Sequence, residues 1–131
     1  MAFRRPSIGD IALEIATALR ESQEGEARRV AFRFIEIFDS AHVDERGQMV
    51  VPEPPSTGDD RYDALLAAIV EFACARHSMV SPSWVDHPDR FLAKWWFVSG
   101  MLSLHADAIA HSPISFARRG VFVTEDALTY A

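Results

Sequence analysis

Between Ser56 and Leu128 the chain carries more aromatic and aliphatic surface than exposed loops can leave in water, cut into short pieces by turn-forming residues. A capped amphipathic segment leads into Ser81-Pro82 and His87-Pro88, then the run Phe91-Leu92-Ala93-Lys94-Trp95-Trp96-Phe97, and finally Ser112-Pro113 with Arg118-Arg119-Gly120-Val121-Phe122-Val123. Such surface has to be buried inside the chain or against a partner. Consecutive aromatics at Trp95, Trp96 and Phe97 cannot all point inward from one helix face. Either the segment is irregular and packed on several sides, or one ring is exposed as an interface anchor. A homodimer built on this face fits both.

The remaining pattern is helical. Ser7 followed by Asp10 makes an N-cap, and Ile8, Ile11, Ala12, Ile15, Ala18 and Leu19 recur at helical spacing. After Gln23-Glu24-Gly25, a second helix is expected from about Glu26 to Val43, with Ala27, Val30, Ala31, Phe34, Ile37, Phe38 and Ala41 inward. The short connection favours an antiparallel hairpin over residues 1–45. Residues 44–58 hold Gly47, Pro52, Pro54, Pro55 and Gly58 and are expected to be non-helical, with Met49-Val50-Val51 extended. This Pro/Gly-rich loop, 46–58, is either packed down or mobile. Thr57 or Asp59 then starts a helix carrying Tyr62, Leu65, Leu66, Ile69, Phe72 and Ala73. Short turns follow the two Ser-Pro and His-Pro steps, and a further segment runs from Met101 to His111. Gly120 is placed to end a short helix, and Val121-Phe122-Val123 reads as extended. The expected fold is mostly α: one domain over residues 1–131, an irregular bundle of five to six helices with at most a marginal strand pair, residues 59–131 forming its helical C-terminal half.

Charge and cysteine usage narrow the function. With 19 acidic against 13 basic residues the formal net charge is −6, which argues against a general nucleic-acid binder. A lone cysteine, Cys74, forbids an intramolecular disulfide and favours a reducing, cytoplasmic setting. The N-terminus lacks the apolar core of a signal peptide, and no apolar run approaches the ~20 residues of a membrane span.

Few constellations could carry chemistry. Cys74 and His77, three apart on a helix, could hold a metal with His87, His105, Asp107 or His111, but a second closely spaced ligand pair is missing. Asp59, Asp60 and Asp63 cluster where a helix N-terminus attracts carboxylates. No nucleophile elbow, phosphate-binding glycine loop or zincin motif occurs. Arg28, Arg29 and Arg33 read as a salt-bridged helix face, with DNA contact as the alternative. No cofactor is expected, and enzymatic function is not expected. Trp84, Trp95, Trp96 and Arg119 are the residues expected to meet a partner.

The stretch Ser56-Thr57-Gly58-Asp59-Asp60-Arg61-Tyr62-Asp63-Ala64-Leu65-Leu66 resembles a family of small, largely uncharacterised helical proteins common in actinobacteria. The likeness continues through Trp84-Val85, Pro88-Asp89-Arg90-Phe91-Leu92, Trp95-Trp96 and Ser112-Pro113-Ile114-Ser115-Phe116-Ala117-Arg118-Arg119-Gly120-Val121-Phe122-Val123, covering roughly residues 25–128. Similar segments occur alone or behind an N-terminal helix-turn-helix domain. The resemblance implies, by association, an antitoxin-like or regulatory protein that binds another protein, such as a toxin or the product of a neighbouring gene. It carries no assigned functional residues. A separate DNA-binding domain is not expected within these 131 residues.

Overall fold

The computed structural model describes residues 5–129. The stretch read for a leader, residues 1–4, lies outside them, as do residues 130–131. The first two helices, α1 (Ile8–Arg20) and α2 (Glu24–Ser40), form the expected hairpin. Ser7 caps α1: its hydroxyl accepts from the Asp10 amide at 3.2 Å while the Asp10 carboxylate accepts from the Ser7 amide at 2.9 Å. The helix closes on a left-handed Ser22 (φ 58°), with the Gln23 amide donating back to the Ala18 carbonyl at 2.8 Å. Ile8, Ile11, Ile15, Phe34 and Phe38 then bury completely between the two helices and the centre of the molecule.

Residues 44–58 depart from the non-helical expectation. A third helix, α3, spans Val43–Val50, and α2 ends at Ser40 rather than Val43 because Ala41 is extended. The His42 ring accepts from the Asp44 amide, acidic Asp44 and Glu45 occupy the first turn, and the prolines begin only after the helix has closed. Gly47 sits mid-helix with open space around it, a placement that costs about 1 kcal/mol. Burial of Met49 and Val50 offsets that cost. Met49 and Val50 are therefore helical, not extended, and the loop shrinks to residues 51–59.

That loop is packed down. The Trp84 indole donates to the Val50 carbonyl at 2.8 Å, and Arg90 donates to Glu53, to the Pro54 carbonyl and to the Asp63 carbonyl, each at 3.1 Å. The Asp63 carboxylate accepts from Ser56 Oγ at 2.6 Å and from the Thr57 amide and hydroxyl at 2.7 Å. Asp63 thus anchors the loop, while Asp59 is the cap of the next helix.

That helix, α4 (Asp60–Arg76), is the axis of the fold. Every residue from Tyr62 to Val70 is buried, so it is enclosed on all sides rather than striped. Two 3-10 turns follow, Ser83–Asp86 and Pro88–Arg90, and both pack on α4. The aromatic run is extended: β1 (Trp96–Phe97) pairs in parallel with β2 (Val121–Phe122). Between the strands lie a turn at Leu102–Leu104 and the short helices α5 (His105–His111) and α6 (Ile114–Ala117); a last turn, Glu125–Leu128, packs against α2. The segment Met101–His111 is thus a turn followed by a short helix. Gly120 ends α6 with φ 77°. The described residues make a mostly helical single bundle of six α-helices with one two-residue strand pair. No helix among them is long and apolar enough to cross a membrane.

Candidate interaction surface

The four residues expected to meet a partner divide into two kinds. Trp84 is 4% exposed and Arg119 is fully buried, so both spend their contacts inside the fold. The Arg119 guanidinium donates to Glu71 at 2.5 Å, to the Ser115 carbonyl at 2.6 Å and to the Val85 carbonyl at 2.7 Å. Arg118 joins the same Glu71 oxygen at 2.7 Å and reaches Asp86 at 2.7 Å, and both guanidinium groups lie about 5 Å from the Phe91 ring centre. Burial pulls Arg119 below its ordinary guanidinium value. Burial raises Glu71, but Arg118 and Arg119 outweigh it and hold that carboxyl below its usual range. These groups join α4 to the strand region, and neither Trp84 nor Arg119 can be reached by a partner in this fold. Trp96 is half-buried against Tyr62 (ring centres 5.2 Å apart), with the Arg61 guanidinium 5.0 Å from its ring centre.

Trp95 is the exception at 65% exposure. Its ring rests on Phe122 at 4.8 Å, Phe97 stacks on Phe122 at 5.2 Å, and His105 of α5 stacks on Phe97 at 3.9 Å. This file of four rings lies outside the main core cluster. α5 is held to it by the inward residues His105 and Ala108, and by Ser112, whose hydroxyl accepts from the Val123 amide at 2.9 Å. The outward side of α5 carries an apolar stripe beside the exposed Asp107 and His111. Leu102, Ala106, Ile109 and Ala110, at i, i+4, i+7 and i+8, are all exposed. Trp95, Met101, Leu102, Ile109 and Ile114 are five of the nine large apolar side chains left exposed among the described residues.

Charge is depleted along the same segment. Charged residues make up 24% of the chain, yet residues 95–117 contain one, Asp107, and it pairs with His111 Nδ1 at 2.9 Å on its own helix. Charge depletion with aromatic and methionine enrichment is the composition of an interface centre. The outward stripe of α5 was not among the residues singled out from sequence. Its signal was present as the uncharged run between Trp95 and Ala117, which Gly100 and Ser112-Pro113 disguised as several loops.

The other constellations are internally satisfied. Arg29 pairs with Glu26 at 2.6 Å and Arg28 with Glu24 at 4.0 Å along α2, while Arg33 reaches Glu14 of α1 at 3.1 Å. Arg28 and Arg29 line an open groove of about 300 Å³ together with Phe32, Val98, Val123 and Ala127. A cleft of about 520 Å³ between α1 and the start of α4 holds Arg20, Glu24, Asp59 and Arg61, and Arg61 pairs with both carboxylates. Cys74 is fully buried, and desolvation pushes its thiol up to about 11. His77 ends α4 and bonds Asp39 at 2.7 Å, a partner shared with Arg76 at 2.8 Å. Among the described residues no three His, Cys, Asp or Glu side chains converge in a way that could hold a metal. No protein-family model, curated protein or solved structure matches this chain.

Proposed function

We propose that this is a non-enzymatic interaction protein whose binding surface is the face built by Trp95, the Met101–Leu104 turn and the outward stripe of α5. The observation that carries the reading is the coincidence of exposed apolar side chains with a segment almost free of charge. The alternatives draw no comparable support. Arg28, Arg29 and Arg33 are matched by Glu24, Glu26 and Glu14, so a DNA phosphate would have to displace a carboxylate at each. A thiol held at about 11 inside the core is a poor nucleophile and a poor metal ligand. The antitoxin-like, regulatory role that the family resemblance implies would use this same surface, in a cytoplasmic setting.

The test is a photo-crosslinking amino acid placed at Leu102, which is 82% exposed, in cells of the native host. A discrete adduct that disappears when Ile109 is also changed to Arg is the expected result. No adduct with any protein from position 102, while the same probe at a buried core position crosslinks internally, would end the reading.

A further inference from the structure

We propose that the groove between α2 and the residues following β1 and β2 is a binding site for a small organic carboxylate with an apolar body. The site is separate from the Trp95–α5 face and does not depend on the reading above. Arg28, Arg29 and Phe32 come from α2, Val98 and Val123 stand directly after the two strands, and Ala127 belongs to the last turn. The Val98 amide donates to the Phe122 carbonyl at 3.0 Å, so the strand pairing holds Val98 in place. Phe32, Val98, Val123 and Ala127 give this groove of about 300 Å³ an apolar lining with a few polar groups, which is the size and character of a small-molecule site.

Charge decides the kind of molecule. The chain carries 19 acidic against 13 basic residues, yet the charged residues lining the groove are two arginines, with no carboxylate among the described lining residues. The two arginines are unequally committed. Arg29 is clamped by Glu26 through hydrogen bonds of 2.6 and 3.0 Å. Arg28 has one ion pair among the described residues, to Glu24 at 4.0 Å, which is beyond hydrogen-bond reach. Glu24 is engaged elsewhere, by Arg61 at 3.3 Å and by the Tyr62 hydroxyl at 3.3 Å. A carboxylate seated on the planar fork of Arg28 therefore displaces only this long, shared contact and gains charge-assisted hydrogen bonds. The Thr124 hydroxyl, on the same lining and without a hydrogen bond among the described residues, is a further donor. An apolar body against Phe32 and the valines, with its carboxylate on Arg28, satisfies both halves of the site. An ammonium head would be repelled by the arginines, and an anion without a body would leave the apolar lining in water.

Titration of the isotope-labelled full chain, followed by amide NMR, tests the site. Octanoate probes an alkyl body and phenylacetate an aromatic one, while octylammonium and acetate control for charge and for the body. The expected result is a saturable shift of the Phe32, Val98 and Thr124 amides with at least one of the two carboxylates, the tighter binder telling alkyl from aromatic. Arg28→Gln should weaken that binding at least tenfold. Arg20→Gln removes the same charge from the cleft between α1 and the start of α4 and should leave the binding unchanged. Glutamine suits a helix nearly as well as arginine, and the amide spectrum reports directly that each variant is folded. The inference is overturned if neither carboxylate gives a saturable shift, or if binding survives Arg28→Gln. It is overturned equally if octylammonium binds as tightly as octanoate, since charge then plays no part, or if acetate does, since the apolar lining then plays none.

Discussion

Asp63, Arg90 and Arg119, each more than nine-tenths buried, surround α4, and the chain itself supplies a partner for each of them. Asp63 takes three hydrogen bonds from Ser56 and Thr57, Arg90 gives three to the loop and α4, and Arg119 gives three to Glu71 and two carbonyls. The segment 95–117 is built the other way round: it is nearly without charge, and five of its large apolar side chains are left in water. The difference separates what the fold needs from what it offers. Buried charge that is hydrogen-bonded inside the chain is architecture, because removing its partner strands it away from water. Exposed apolar surface that the chain leaves uncovered contributes nothing to its own folding, so its presence points outward.

The sharpest way to break this comparison is at Glu71. Glu71→Ala leaves Arg119 buried without its counter-charge and should cost about 3–5 kcal/mol in denaturant unfolding. Replacing both partners at once, Glu71→Leu with Arg119→Met, should recover most of that loss, since the desolvation cost disappears with the charges. A loss below about 1 kcal/mol in the single variant would mean the network is a surface ornament. The same pair sets an acid limb. Glu71 has a folded pKa below its ordinary 4.5, so its contribution is complete above that value and is lost as the pH falls through the folded pKa. Stability should therefore drop from about pH 4.5 downward, and Glu71→Ala should flatten the drop.

A smaller effect is expected where the loop is stapled. Trp84→Phe keeps most of the buried ring but removes the donor to the Val50 carbonyl, leaving that oxygen unpaired. A loss of about 1–3 kcal/mol is expected in thermal or denaturant melts. A neutral result would show that the 51–59 loop is held by Arg90 and Asp63 alone.

The two regions also differ in how legible they were in the sequence. Elements decided by local chemistry were readable: the Ser7–Asp10 cap, the hairpin, the start of α4 and the left-handed Gly120 all follow from residues within a few positions. α3 was not, because Gly47 and the prolines at 52, 54 and 55 lower local helix propensity, while the burial of Met49 and Val50 depends on the tertiary packing. Nothing near Arg118 and Arg119 in the sequence marks their partner. Glu71 is 47 and 48 residues away and became a neighbour only through packing of α6 on α4. The parallel pairing of Trp96 with Val121 is equally non-local, so the aromatic run, expected to be irregular or to expose one ring, holds a two-residue strand at Trp96–Phe97. Of the partner-facing residues, Trp95 alone is strongly exposed; the stripe on α5 was hidden because a helix of seven residues gives a weak periodic signal.

A gain is expected at Ser78. It closes α4 in the left-handed region (φ 55°), where the Met79 amide donates to the Cys74 carbonyl at 2.9 Å. A side chain there strains the backbone by about 1–2 kcal/mol, partly offset by the greater unfolded-state freedom of glycine. Ser78→Gly should raise stability by about 0.5–1 kcal/mol, read as an upward shift in Tm. The gain belongs to the C-terminal end of α4, where the chain turns away from the helix.

The smallest expected effect tests the other half of the comparison. Leu102 makes little use of its side chain within the fold, being 82% exposed in the turn before α5. Leu102→Gln should change the unfolding free energy of the dilute protein by no more than about 0.5 kcal/mol. A buried leucine of α4 such as Leu65, cut to alanine, should lose about 2–5 kcal/mol under the same conditions. If Leu102→Gln instead destabilises the dilute chain as strongly as a core change, the side chain supports the fold itself. The outward stripe would then be a thinly covered edge of the core and not a surface kept for another molecule. If it is neutral for folding, the leucine has no structural reason to stand in water, and the explanation for it must come from what binds there.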